Sequence, residues 1–181
     1  MIVELKGAVL LYTMAGLMVT FAGFSALLLA VRQAAGGRLS QVDRYLAKTV
    51  LTQLFVLTAG ALLPPIIALY EMSENFTWRT SASLFALTML SLLLSYPYRR
   101  RKAIGTGPPP IILAIFVVFG AAVIAAMLVY VLSGLPYSAA AYITALAINF
   151  FTTAFAFVTA LDVIMQQPID ASAGNQKQPS E

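Results

Sequence analysis

A chain of 181 residues that is 60% hydrophobic and 10% charged, with a mean hydropathy of +0.87, has the length of one domain and more apolar surface than a soluble fold of that size can hide. It contains neither cysteine nor histidine, which excludes disulfides, thiolate chemistry and Cys-ligated zinc or iron–sulfur centres, and removes the usual ligand of b-type haems. The net charge of +4 sits at the joints between apolar runs, where it reads as membrane topology and not as a nucleic-acid footprint.

The expected fold is an all-α integral membrane bundle of five transmembrane helices, N-terminus outside and C-terminus cytoplasmic. A crossing needs about 20 apolar residues, because each helical residue rises about 1.5 Å through a hydrocarbon layer of about 30 Å. The charge pattern predicts spans at about 7–31, 49–70, 80–98, 110–132 and 138–162 within a domain of residues 1–168, followed by a disordered cytoplasmic tail at 169–181.

Span one, Gly7 to Val31, carries no charge, exceeds the apolar core of a signal peptide and meets no small-residue cleavage site before Arg32, so it is expected to be retained. Thr13, Gly16, Thr20 and Gly23 form a small-residue stripe along it, the kind that lets helix backbones approach closely in lipid. Gly36-Gly37 supplies a turn, and Ser40 with Asp43 has the spacing of a capping box, so the second helix is expected to begin ahead of its span.

Within span two, Pro64-Pro65 deprives the carbonyls of Gly60 and Ala61 of their usual donors and predicts a kink or an unwound turn. Freed carbonyls can coordinate a cation or line a cavity; satisfaction by hydroxyls from neighbouring helices is the favoured outcome. Beyond them Glu71 and Glu74 share a face if the helix continues, forming with Asn75 an acidic outer mouth for which Arg79 is the obvious partner.

Span three carries a hydroxyl stripe of Ser81, Thr88, Ser91 and Ser95, with Trp78 at its outer end and Tyr96 and Tyr98 at its inner end, where amphipathic rings favour the headgroup layer. Arg99, Arg100, Arg101 and Lys102 follow directly, a stop-transfer anchor and a candidate contact for anionic lipid. From Ala103 to Leu161 there is no charge, about twice the length of one crossing, and Ser133-Gly134-Leu135-Pro136 divides the run into spans four and five. Pro108-Pro109-Pro110 ends the third helix, with the last proline suited to the first turn of the fourth. Ile111 to Val129 holds no polar side chain, so span four is expected to face lipid or an apolar partner, and spans one, three and five to form the tight centre.

In span five, Asn149 lies about 16 Å along a helix capped at Ser138, near the bilayer centre. Ala145, Asn149, Thr152, Thr153 and Ala156 share its face while Phe151 and Phe155 point elsewhere. A packing face in which Asn149 bonds a neighbouring helix is favoured over a polar pathway. Asp162 falls about 36 Å from that cap, at the inner interface, where an ion pair with Arg99–Lys102 or a loop-one arginine is favoured over a proton or cation path.

Orientation follows from the positive charges. With five spans, Arg32, Arg38, Arg44, Lys48, Arg99, Arg100, Arg101, Lys102 and Lys177 share one side, which places it in the cytoplasm and leaves Lys6 and Arg79 opposite. No Walker loop, dinucleotide glycine fingerprint, intramembrane acid pair or deep lysine is present, so the reading is of a protein that is not an enzyme, with no metal or cofactor. The expected role is structural or interactive, in a bacterial inner (plasma) membrane: an accessory subunit of a membrane complex or a self-associating bundle, in contact with anionic lipids, with a homo-oligomeric or membrane-protein partner and no nucleic acid. The rival is a homo-oligomeric channel or small-solute transporter, with Pro64, Pro65, Glu71, Glu74 and Asn149 lining its path.

Overall fold

In lipid no water is available to the backbone, so a long apolar run must close its hydrogen bonds within itself, and a helix is the segment that does so. The computed structural model describes residues 5, 7–34, 40–105, 110–132 and 139–165, without the side chains at 110–119, 130, 160 and 162–165. They form an all-helical bundle of α1 (Ala8–Ala34), α2 (Gln41–Ala68), α3 (Glu74–Ile104), α4 (Pro110–Leu132) and α5 (Ala139–Met165). Four of these, α1, α2, α3 and α5, are long and apolar enough to cross a membrane; in α4 the stretch Gly120–Val129 is apolar. Gly36-Gly37, Pro108-Pro109, Ser133–Pro136, the Ser138 cap and the tail lie outside the described residues.

The helix ends follow their local chemistry. The Ser40 side chain accepts from the Asp43 N–H at 3.1 Å while Asp43 accepts from the Ser40 N–H at 3.0 Å, so the capping box starts α2 eight residues ahead of its expected span at 49. Pro110 is the first residue of α4, where its missing N–H costs nothing. α3 starts behind Ser73, whose hydroxyl accepts from the Phe76 N–H, and ends at Gly105 with a left-handed φ of 79°. It therefore runs past its expected end at Tyr98, and Arg99–Lys102 belong to its last two turns. α2, by contrast, stops at Ala68, and Glu71 sits in the following turn with a left-handed φ of 54°. Glu71 and Glu74 are consequently not on one helical face.

α2 is the centre of the bundle, and the expected core of spans one, three and five is corrected. α1 and α5 each pack chiefly against α2, and α3 packs about equally against α2 and α4; α1 and α3 are not in contact among the described residues. The reason lies in the side chains of α2: Gly60, Ala61, Pro64 and Pro65 are small or compact and buried on several sides at once, so three helices can approach. A Cβ on Gly60 would stand 2.6 Å from the Phe85 ring, which makes glycine the residue that fits there.

The helices α1, α3 and α5 run one way and α2 the other. Tyr45 near the start of α2 meets Tyr96 near the end of α3, while the far part of α2 meets Tyr142 at the start of α5. Gly7 lies against Ile143, and Phe21 stacks edge-on with Phe150 and Phe157 at 6.0 and 5.6 Å. The bundle thus has a basic end, carrying Arg44, Lys48 and Arg99–Lys102, and an opposite end carrying Glu71, Glu74 and Arg79.

The buried face of α1 is Leu11, Ala15, Met18, Ala22, Ser25 and Leu29, in alternating steps of four and three as in a heptad seam, with Met14 beside Ala15. The predicted small-residue stripe lies on the other side. Thr13, Gly16, Thr20 and Gly23 are all exposed, and nothing stands within 4 Å of a Cβ built on either glycine. The hydroxyl stripe of α3 also fails as a packing face: Ser81 is buried, but Thr88 and Ser91 are exposed. Ser81 and Thr88 donate to carbonyls of their own helix, at 2.8 Å each, which in the exposed Thr88 satisfies a hydroxyl facing lipid without a partner helix.

Candidate functional site

The two ends of the bundle differ in chemistry. At the end opposite the basic one, the proline pair leaves the Gly60 carbonyl without its helical donor, and the Tyr142 hydroxyl supplies one at 2.6 Å. Around that bond pack Trp78 and Phe85, with ring centroids 5.7 and 5.9 Å from Tyr142. Trp78 is fully buried and donates to the Glu74 carboxylate at 3.4 Å, so it is a core residue and not a headgroup anchor. Tyr96 is likewise buried, whereas Tyr98 is exposed as expected. α2 remains helical through Pro64 and Pro65, without the unwound turn that was one expectation.

Toward the basic end, a crevice of about 90 Å³ opens between α2, α3, α4 and α5. Its polar lining is Thr49, Gln53, Tyr96, Arg99, Asn149, Thr152 and Thr153. Of the expected face of α5, Asn149, Thr152 and Thr153 line this crevice, while Phe151 and Phe155 are exposed. Asn149 does not bond a neighbouring helix, however: its amide donates to the Ala145 carbonyl of its own helix at 2.8 Å. Thr49, Thr152 and Thr153 donate to Tyr45, Ile148 and Asn149 at 2.8, 2.7 and 2.8 Å. Their protons are engaged, so the hydroxyls turn acceptor lone pairs to the crevice, and Gln53 places its amide on the Met89 sulfur at 3.3 Å, a weak acceptor.

Pro97 shapes the neighbouring turn. It lies inside α3, where it withholds the N–H owed to the Leu93 carbonyl and its ring crowds the preceding turn. The adjacent Leu92 carbonyl accepts from Ser95 Oγ at 3.2 Å and from Arg99 Nη2 at 3.1 Å. Arg99 thus folds back seven residues along its own helix, into the wall of the crevice. Arg100 turns elsewhere: it is buried and donates to the Tyr96 hydroxyl at 3.4 Å, while the Tyr45 hydroxyl donates to the Tyr96 carbonyl at 3.4 Å.

Beside the crevice lies a wider groove of about 420 Å³ between the start of α2 and the end of α3. Arg44 and Lys48, four residues apart on α2, face Arg99 and Lys102, three apart on α3, with Tyr45 and Thr52 among them and no carboxylate among the described residues of the lining. Thr49 and Arg99 belong to both spaces. Arg101 is exposed outside the groove, so the expected run Arg99–Lys102 is split by helical rotation, with two members in the groove, one buried and one outward. Arg44 and Lys48 had been counted only as topology. Their spacing with Thr52 on one helical face was the available signal.

Pro64, Pro65, Glu71 and Glu74 line neither space, so the structure does not join them to Asn149. Asp162 falls in the last turn of α5, at the basic end, and its side chain is outside the described residues. No family model matches the chain, and neither a curated protein nor a solved structure matches it.

Proposed function

We propose that this is a five-span inner-membrane protein, N-terminus outside and C-terminus cytoplasmic, that acts by binding other membrane components and not by catalysis, as a self-associating bundle or an accessory subunit. The observation that carries this reading is the outward face of α1. Thr13, Gly16, Thr20 and Gly23 gain nothing from lipid that a larger side chain would not gain more, but they let a second helix approach closely. Packing at the end opposite the basic groove supports the same reading over a channel within one chain. Trp78, Phe85, Tyr142 and Leu146 are buried side by side between the proline pair and Asn149.

The test is gentle extraction of a C-terminally tagged chain, with stoichiometry read by native mass spectrometry. A defined homo-oligomer or a stoichiometric foreign subunit is expected, lost in a Gly16→Leu/Gly23→Leu variant that still folds. A monomer without partner, both in mild detergent and by crosslinking in the membrane, would overturn the reading. Solute flux through vesicles of the purified chain, abolished by Asn149→Leu, would favour the channel instead.

A further inference from the structure

We propose that the groove between the start of α2 and the end of α3 is a binding site for the phosphate of an anionic lipid, with Arg44, Lys48, Arg99 and Lys102 as its contacts. The inference rests on the membrane-spanning reading above but not on self-association. Four cations converge from two helices on one space that, among the described residues, is lined by no carboxylate. Brought together they repel, and an anion in the groove relieves that repulsion while contacting both helices at once. The four are also divided in kind: Arg44 and Arg99 present planar forks suited to two phosphate oxygens, Lys48 and Lys102 point charges.

Arg99 is the fixed member. Its Nη2 is held by the Leu92 carbonyl one turn before Pro97, and among the described residues its buried Nε has no hydrogen-bond partner. A group ordered before the ligand arrives costs less entropy on binding.

Continuity with the crevice selects a lipid over free phosphate. Beyond the shared Thr49 and Arg99, the lining runs into Leu92, Leu93, Val123 and Ile124. A basic mouth that continues into a slot with one apolar wall, Leu92, Leu93, Val123 and Ile124 facing the polar side chains of α5, has the two-part chemistry of a headgroup with the start of an acyl chain, whereas inorganic phosphate would use only the mouth. Exposed basic runs attract anionic membranes diffusely, each cation contributing on its own. The groove predicts instead that position matters, because Arg101 lies between Arg99 and Lys102 in the sequence but outside the site.

The experiment is native mass spectrometry of the full chain, taken from vesicles of phosphatidylcholine with phosphatidylglycerol into neutral detergent, with retained lipid counted per chain. Wild type is expected to keep one phosphatidylglycerol. Lys48→Gln should weaken retention about fivefold and Lys48→Gln/Arg99→Gln by an order of magnitude or more, while Arg101→Gln leaves it unchanged. Lys48 is exposed, so its variant reads the site even if loss of Arg99 disturbs folding. Inorganic phosphate at high concentration should fail to displace the lipid. Equal loss in Arg101→Gln, ready displacement by phosphate, or no retained lipid in wild type would each overturn the proposal. The same spectra give the oligomeric state, so a lost lipid with intact assembly is separable from failure of the interaction reading.

Discussion

Gly60 and Tyr142 show how much one pair of residues decides. The Gly60 carbonyl loses its donor to Pro64 and regains one from Tyr142, while its missing Cβ makes room for the Phe85 ring. Tyr142→Phe should therefore destabilise the bundle by about 0.5–2 kcal/mol, the range for a hydrogen bond between helices in lipid. The loss should shrink in a Pro64→Ala background, where the backbone N–H is restored; a cost independent of residue 64, read by unfolding in mixed detergent micelles, would refute this coupling. Gly60→Ala forces the ring of Phe85 aside and should cost about 1–3 kcal/mol by overpacking, relieved in part by Phe85→Leu. The proline pair announced in the sequence that a donor was needed. Nothing in it identified Tyr142, because a tyrosine at a helix start reads equally well as a headgroup anchor.

At the scale of elements, the segmentation into apolar helices, the capping box at Ser40 and Asp43 and the place of Pro110 were legible, since each rests on local chemistry. The arrangement of the helices was not. In water the buried face of a helix is its apolar face, but in lipid both faces are apolar, so periodicity no longer points inward. Small residues then looked like the packing signal, and on α1 they lie on the outer surface while Leu11, Met18 and Leu29 lie inside. The basic run was legible as charge, but the turn of about 100° per residue that divides it between groove, core and solvent requires the helix to be known to continue through Pro97. Because the chain has no cysteine, introduced pairs report without background. Gln53→Cys with Met89→Cys should crosslink readily across α2 and α3, and Thr20→Cys with Thr88→Cys should not within one chain; the reverse result would restore a centre of spans one, three and five.

For the whole molecule, the antiparallel course of α2 gathers Arg44, Lys48 and Arg99–Lys102 at one end and Glu71, Glu74 and Arg79 near the other. Positive charge is retained in the cytoplasm, so a reporter after Glu181 should be active there and one before Met1 outside. Moving charge to the other end, as with Glu71→Lys/Glu74→Lys combined with Arg99→Gln/Lys102→Gln, should yield a mixed orientation. The bond between Gly60 and Tyr142 also has a temporal side. The carbonyl belongs to the second helix to be synthesised and its donor to the fifth, so a nascent chain carries an open polar group in lipid until α5 docks. An unfinished or truncated copy is thereby chemically distinct from a finished one at the Gly60 carbonyl.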